Sequence, residues 1–153
     1  MKTIDGDLLR LGNDGVFDVI VHGCNCQCQM GAGIAKSIRE QFPAAYEADL
    51  ATEKASRDKL GSYSSAEVKV GDHSFVVVNA YTQFHWRGSG VKADYEAIRK
   101  VFNDIKRDFA GKRIGYPTIG AGLAGGDWDT IAAIIDEELV SEDHTVVLFS
   151  NRD

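Results

Sequence analysis

The chain lacks a long hydrophobic run and a block of basic residues. None of its 153 residues belongs to an apolar stretch of roughly 18 residues, the length that a membrane-spanning helix requires. The net charge is -6 and there is no Lys/Arg cluster, which argues against general nucleic-acid binding, because such binding depends on neutralising phosphates. A small anion held by backbone amides remains compatible with this charge. We therefore expect no membrane contact and a small-molecule partner.

Cysteine is scarce and confined to one short segment. Cys24, Cys26 and Cys28 are odd in number and spaced by a single residue, which disfavours a disulfide framework. Structural zinc sites combine two pairs of Cys or His ligands, and here no second Cys pair exists and the four histidines are scattered. We expect reduced thiols in a tight loop, with no metal and no other cofactor.

Size and composition indicate one globular domain spanning residues 1–153. Hydrophobic residues make up 44% of the chain and charged residues 26%, as in ordinary soluble domains. No internal repeat, low-complexity segment or linker interrupts the chain. The first seven residues contain no signal-peptide core, so we expect a cytoplasmic location.

Short β-branched runs alternate with helical apolar patterns along most of the chain. This order predicts an α/β fold, a three-layer α/β/α sandwich with a mixed, largely parallel central sheet and helices on both faces. Asp94 and Asp129 are expected to cap the last two helices, and Gly71-Asp72 to join two strands in a hairpin. The predicted strands are 16–21, 66–70, 74–80, 112–116 and 145–149, and the first two predicted helices are 34–42 and 44–57.

Two Gly-Ala-Gly loops, at 31–33 and 120–122, each lie between a predicted strand and a predicted helix. Glycine lets the bare backbone approach a ligand, and a helix N-terminus offers free N–H groups. Ligands of parallel α/β sheets bind beyond the carboxyl ends of the strands. The pair of loops therefore predicts a site for two linked phosphates, or for a phosphate and a sugar. Close packing of helix on strand is the alternative explanation for these glycines.

Four polar side chains near these loops are candidates for chemistry. Asn25 can both donate to and accept from a sugar hydroxyl, or can bond its own backbone in a turn. His22 could act as general acid or base, or orient a water, but a structural role is equally consistent with its position. Asp7 could accept from an exocyclic amine and Asp127 could face a sugar, although each alone fits a turn or helix cap better.

Residues 83–90 form a long polar-aromatic segment after a predicted strand, the kind of loop that often covers a site. Ser89 lies within it without the strand–turn–helix context of a nucleophile elbow. Serine-hydrolase chemistry is therefore not expected.

Four ordered motifs resemble the macrodomain family of ADP-ribose-binding α/β/α proteins, over nearly the whole chain. They are Gly6-Asp7-Leu8-Leu9, His22-Gly23-Cys24-Asn25, Met-Gly-Ala-Gly-Ile-Ala at 30–35, and Ile-Gly-Ala-Gly-Leu-Ala-Gly-Gly-Asp-Trp at 119–128. The resemblance implies that Asp7 and Leu8 contact adenine and that Asn25 binds the distal ribose. The residues it implies around the phosphates and ribose are Gly23, Cys24, Met30, Gly31, Ala32, Gly33, Ile34, Ile119, Gly120, Ala121, Gly122, Leu123 and Ala124.

Within the family the chain is most similar to the small stand-alone ADP-ribose 1''-phosphate phosphatases and terminal ADP-ribose glycohydrolases. The glycohydrolase branch uses a Lys and an Asp. Here Ala124 stands at the Asp position, and the segment 81–83 that matches the Lys position has no lysine. His22 replaces the first Asn of the Asn-Ala-Ala-Asn motif found in many members. These departures argue against a covalent Lys–ribose route.

The expected activity is hydrolysis of ADP-ribose 1''-phosphate to ADP-ribose and phosphate, by a water that His22 or Asp127 orients, with Asn25 fixing the ribose. One alternative is a non-catalytic reader of ADP-ribose. Another is a hydrolase that removes ADP-ribose from protein or nucleic acid.

Overall fold

The computed structural model describes residues 1–87 and 90–150. Gly88 and Ser89, which belong to the predicted covering loop, lie outside the described residues. Across the described ranges the chain has six strands and five α-helices. The strands are β1 (Lys2–Gly6), β2 (Val19–Asn25), β3 (Tyr63–Val70), β4 (His73–Gln83), β5 (Arg113–Tyr116) and β6 (Asp143–Phe149). The helices are α1 (Leu8–Asn13), α2 (Gly33–Gln41), α3 (Pro43–Leu50), α4 (Tyr95–Asp108) and α5 (Trp128–Glu138).

The six strands form one mixed sheet in the order β1-β6-β5-β2-β4-β3. All neighbouring pairs are parallel except β3 and β4, which the two-residue turn Gly71-Asp72 joins as the sequence predicts. The carboxyl ends of β2, β4 and β5 therefore meet at one edge of the sheet. Both Gly-Ala-Gly loops begin at this edge, after β2 and after β5.

Alternate residues of β2 point to opposite faces of the sheet, as strand geometry requires. Val19 and Val21 pack in one hydrophobic core with the apolar stripes of α4 and α5. Ile20 packs in the other core, with residues of α1, α2 and α3. The two cores on either side of one sheet confirm the three-layer sandwich.

Several predicted boundaries shift in the structure. The strand predicted at 16–21 runs instead from Val19 to Asn25, so His22 lies in its middle. The second predicted helix, 44–57, ends at Leu50, and only a short 3-10 turn follows at Arg57–Lys59. The hydrophobic pattern there did not reveal the turn, because α3 has little amphipathic character and no glycine marks its end.

Helix capping explains where the last two long helices begin. Asp94 caps α4 through a bond from the Ala97 N–H (2.9 Å), as predicted. The expectation that Asp129 caps α5 is wrong, because the cap is Asp127 and Asp129 lies in the first turn. Among the described residues, none of the helices has the length and hydrophobicity needed to cross a membrane.

Candidate functional site

A cleft of about 650 Å³ opens at the carboxyl ends of β2, β4 and β5. The two Gly-Ala-Gly loops form facing walls, because a Cβ placed on Gly33 would lie 3.8 Å from Leu123 Cδ1. Most of the lining is backbone or small apolar side chain. The described lining residues are Gly23, Cys24, Asn25, Gln29, Gly31, Ala32, Gly33, Ile34, Ala35, Thr82, Gln83, Trp86, Lys92, Pro117, Thr118, Ile119, Gly120, Gly122, Leu123 and Ala124.

The first loop presents the N-terminus of α2 to the cleft. Gly33 has φ +59, a left-handed conformation that favours glycine. The N-cap residue is Ala32, whose side chain makes no capping hydrogen bond. The N–H groups of Gly33, Ile34 and Ala35 therefore have no intrahelical partner. An alanine at this position costs about 1 kcal/mol relative to a polar cap, and an anion in the cleft would supply the missing acceptor.

The second loop closes on itself and is fixed to the segment before α4. The Gly126 N–H donates to the Gly120 carbonyl at 2.7 Å, and the Ala124 carbonyl accepts from the Lys92 N–H at 2.7 Å. A Cβ on Gly126 would come within 2.6 Å of the Gly120 oxygen, so this close approach needs glycine. The loop is thus a preformed wall whose shape depends on backbone contacts.

Asn25 ends β2 inside the cleft, and its side chain also holds the turn that follows. Its Oδ1 accepts from the Gln27 N–H (2.9 Å) and its Nδ2 donates to the Gln29 carbonyl (3.0 Å). The turn interpretation and the ligand interpretation are therefore compatible. An amide has a second hydrogen and a second lone pair, which leaves capacity for a sugar hydroxyl.

His22 lies behind the cleft. Its side chain is fully buried on the face toward α3, and its Nε2–H donates to Asn79 Oδ1 at 2.7 Å. The donors of Asn79 are already engaged with the Ala45 carbonyl and Ser64 Oγ, which fixes the direction of this bond. Burial lowers the pKa of His22 to about 4. The imidazole is therefore neutral at physiological pH and does not line the cleft.

The two candidate aspartates act as helix caps in this structure. Asp7 Oδ1 accepts from the N–H groups of Leu9 (3.0 Å) and Arg10 (3.4 Å) at the start of α1. Asp127 Oδ2 accepts from the N–H (3.1 Å) and Oγ1 (2.6 Å) of Thr130, and these bonds hold the pKa of Asp127 below its usual value. Neither carboxylate lines the cleft.

Other predicted ligand-binding residues divide into two groups. The residues of the two Gly-Ala-Gly loops other than Ala121 are at the cleft wall, as are Gly23 and Cys24 at the end of β2. Leu8 and Met30 are buried below the surface, and Ala121 is not among the lining residues. Burial raises the pKa of the Cys24 thiol, so this thiol stays protonated at neutral pH.

Sequence reasoning missed the contribution of β4. The pairing of β2 with β4 sets Asn25 opposite Gln83, which brings Thr82 and Gln83 to the cleft. Trp86 lines it from the segment predicted to cover the site. The signal was available, because the carboxyl end of a parallel strand next to β2 must reach the same edge. The sequence did not show that β4 is the neighbour of β2.

A second polar cluster lies behind the first loop, in contact with the turn that follows Asn25. Lys59 is 8% exposed, and its Nζ donates to Thr52 Oγ1 (2.7 Å) and Cys28 Sγ (3.4 Å). Tyr81 donates its hydroxyl proton to Asp49 Oδ1 (2.7 Å), and burial raises the pKa of the Asp49 carboxyl. This cluster is tightly bonded and buried. Within the described part of the chain, no group of three or more His, Cys, Asp or Glu residues could hold a metal ion.

The fold and the pair of glycine-rich loops coincide with a family match. The Macro domain model matches residues 21–135, which include most of β2, both loops and most of α5. The chain belongs to the macrodomain family.

Three proteins illustrate how far the sequence similarity reaches. The chain is 37% identical over 142 residues to an uncharacterised 17.5 kDa protein of phage T4, covering 89% of this chain and 88% of that protein. It is 44% identical over 46 residues to an ADP-ribose 1''-phosphate phosphatase of Neosartorya fischeri, covering 30% of this chain and 22% of the phosphatase. It is 24% identical over 136 residues to the ADP-ribose glycohydrolase OARD1 of Bos taurus, covering 87% and 82%.

Solved structures agree on the fold. The macrodomain of Thermus aquaticus DarG superposes with a TM-score of 0.74 at 21% identity, covering 97% of both chains. A Trypanosoma brucei macrodomain in complex with ADP-ribose gives a TM-score of 0.65 at 15% identity, covering 97% of this chain and 63% of that one.

Proposed function

We propose that this protein binds ADP-ribose in the cleft and hydrolyses ADP-ribose 1''-phosphate to ADP-ribose and phosphate. The observation that carries the proposal is the facing pair of Gly-Ala-Gly loops, one of which leaves the start of α2 without a side-chain cap. Two walls of backbone suit a diphosphate, which needs many N–H donors and close approach.

The strand order supports a proposed position for each part of the ligand. The phosphates lie between the two loops, and the distal ribose lies against Asn25 at the end of β2. Asp7 and Leu8 follow β1, which is two strands from β5, or about 10 Å at the usual strand spacing. Both cap bonds of Asp7 go to Oδ1, so Oδ2 can accept from the adenine amine.

Lys92 contributes a basic side chain to the cleft. It is the only lysine, arginine, aspartate or glutamate among the described residues that line the cleft, and its Nζ also donates to the Gly90 carbonyl at 3.4 Å. A lysine at the mouth attracts an anionic ligand, since two opposite charges a few ångströms apart gain on the order of 1 kcal/mol in a water-exposed site.

In the proposed reaction a water attacks the terminal phosphorus and the bond from phosphorus to the 1'' oxygen breaks. The 1'' oxygen takes a proton that comes from the water, and ADP-ribose and inorganic phosphate are released. Loop N–H groups stabilise the charge on the phosphoryl oxygens. Asn25 is the predicted catalytic residue already at the cleft. A catalytic role for His22 or Asp127 stays a prediction, and either side chain would have to leave its present partner to reach the ligand.

The test combines calorimetry with an assay for phosphate release from ADP-ribose 1''-phosphate. We expect ADP-ribose to bind the wild type, and Asn25→Ala to weaken binding and slow phosphate release. His22→Ala and Asp127→Ala examine the two other candidates, with circular dichroism as the check on folding. Wild-type turnover that all three substitutions leave intact would overturn the catalytic assignment.

A second candidate function is a non-catalytic reader of ADP-ribose. One observation favours it: the described lining residues include no carboxylate and no imidazole. Tight ADP-ribose binding with no phosphate release would establish the reader.

One relative is an ADP-ribose glycohydrolase, and this motivates a further experiment. Incubation with ADP-ribosylated protein and with ADP-ribosylated nucleic acid would show whether the cleft releases ADP-ribose from either. Release there, without activity on the 1''-phosphate, would transfer the assignment to de-ADP-ribosylation.

A further inference from the structure

Trp86 is an unusual member of the cleft lining. It is the only aromatic side chain among the described residues there, and 41% of it is exposed. A large ring that is half in water on a cleft wall gains free energy when a ligand covers it. Neither the fold nor the hydrophobic cores account for this exposure.

The position of Trp86 along the cleft follows from the strand register. Asn25 of β2 lies opposite Gln83 of β4, and Trp86 comes three residues after Gln83. The segment that carries the indole therefore starts at the end of the cleft where Asn25 lies, and both side chains line the cleft. In the proposed function that end receives the distal ribose.

The segment that carries Trp86 is held in place on both sides. The Phe84 carbonyl accepts from the Cys26 N–H (3.0 Å) and from Gln27 Nε2 (3.0 Å). The Arg57 guanidinium lies 3.8 Å over the ring of Phe84. The segment is thus fastened to the turn that Asn25 also holds.

The indole itself is also supported. It stacks on His85 with ring centroids 4.1 Å apart, and His85 Nδ1 accepts from the Arg87 N–H at 2.9 Å. An aromatic group that is ordered before binding loses little conformational freedom when the ligand arrives.

We propose that Trp86 determines specificity by packing against the distal sugar, so that the cleft distinguishes ADP-ribose from ADP. This inference rests on the proposed function, because it uses the end of the cleft assigned to the distal ribose. Sugars present C–H groups that pack on apolar rings. ADP ends at the phosphates and would leave in water the part of the indole that His85 and Arg87 do not cover.

The experiment measures dissociation constants for ADP-ribose and ADP by calorimetry in the wild type, Trp86→Ala and Trp86→Phe. We expect Trp86→Ala to weaken ADP-ribose about tenfold, as for loss of one aromatic contact, and to leave ADP within about twofold. Trp86→Phe should lose less. Equal weakening of both ligands, or of neither, would overturn the inference. Because Trp86 is exposed, both variants should fold, which thermal unfolding checks.

Fluorescence supplies an independent readout. The chain has two tryptophans, so Trp128→Phe leaves Trp86 as the sole indole. ADP-ribose should change its emission at saturation, whereas saturating ADP should not. The same response to both ligands would contradict the inference. A wild type that binds neither ligand would refute the proposed function itself, an outcome distinct from intact binding that Trp86→Ala leaves unchanged.

Discussion

The two sides of the end of β2 differ sharply in their chemistry. In front of it, the cleft is lined by glycine-rich backbone, amides and small side chains, with Lys92 as the one charged group among the described lining residues. Behind it lie His22, Asp49 and Lys59, all buried and hydrogen-bonded. Two groups with displaced pKa values, His22 and Asp49, therefore lie away from the ligand cleft.

This contrast shows why perturbed titration alone is a weak guide to an active site. Burial without ligand access lowers the pKa of His22 and raises that of Asp49, and both effects follow from desolvation. The cluster instead supports the turn between Asn25 and the first glycine loop. Cys28, with φ +56, is fixed there by Lys59 and by the Asp49 carbonyl.

The largest expected effect is the pH dependence of stability that His22 causes. The pKa of His22 is lowered from 6.5 in the unfolded chain to about 4 in the folded protein. Between these pH values the unfolded state binds a proton that the folded state does not bind. Stability is full above about pH 6.5 and declines as pH falls to about 4, by ~3 kcal/mol in all. Urea unfolding across this range should show a shallower slope for His22→Gln.

The matched control is His73→Gln, since His73 is exposed on the β3–β4 hairpin. It should keep the wild-type slope. His144 also has a lowered pKa because of burial, so some slope will remain in every variant. An unchanged slope in His22→Gln would mean that the buried imidazole is not the source.

The next effect compares two tyrosines that donate to carboxylates. Tyr81→Phe removes the hydroxyl that donates to Oδ1 of the buried Asp49. The other oxygen of this carboxyl, Oδ2, has no hydrogen-bond partner among the described residues. We expect a loss of about 2 kcal/mol in the free energy of unfolding. Tyr63→Phe removes a similar bond to Asp108 at the surface and should cost clearly less, because water can replace the lost partner. Equal losses in urea unfolding would contradict the distinction between the buried cluster and the surface.

The same contrast explains what could be predicted from the sequence. The layers, the hairpin at Gly71-Asp72 and the Asp94 cap follow from local patterns, because periodicity and capping depend on neighbours in the chain. The two loops carry their own glycine signal.

The remaining features depend on which strands are neighbours. Whether His22 faces the cleft or the core depends on where β2 ends. The strand continues through His22 to Asn25, so the His22 side chain takes its turn on the buried face. Thr82, Gln83 and Trp86 reach the cleft only because β4 pairs with β2. Asp127 rather than Asp129 caps α5, since the closure between Gly120 and Gly126 decides where the helix begins.

A third prediction addresses the shape of the cleft wall. Gly126→Ala would force a methyl group against the Gly120 carbonyl at 2.6 Å and open the loop. We expect about 1–2 kcal/mol less stability from this overpacking and weaker ADP-ribose binding. Gly122→Ala is the control for stability, because its added Cβ has no atom of a described residue within 4 Å beyond its chain neighbours. If thermal unfolding and calorimetry gave the same result for both variants, the preformed wall would not depend on the closure.

The smallest expected effect tests whether the cleft depends on charge at all. Lys92→Met should weaken ADP-ribose about threefold at low salt, as for one screened charge pair, and the difference should shrink at high salt. Lys69→Met removes the same charge from an exposed side chain of β3, away from the cleft. It should leave the affinity for ADP-ribose unchanged. A much larger loss of affinity that does not depend on salt would mean that Lys92 binds a phosphate directly. The cleft would then bind its ligand through a charged side chain, and not mainly through backbone amides. An equal loss in both lysine variants would instead reduce the effect to net charge.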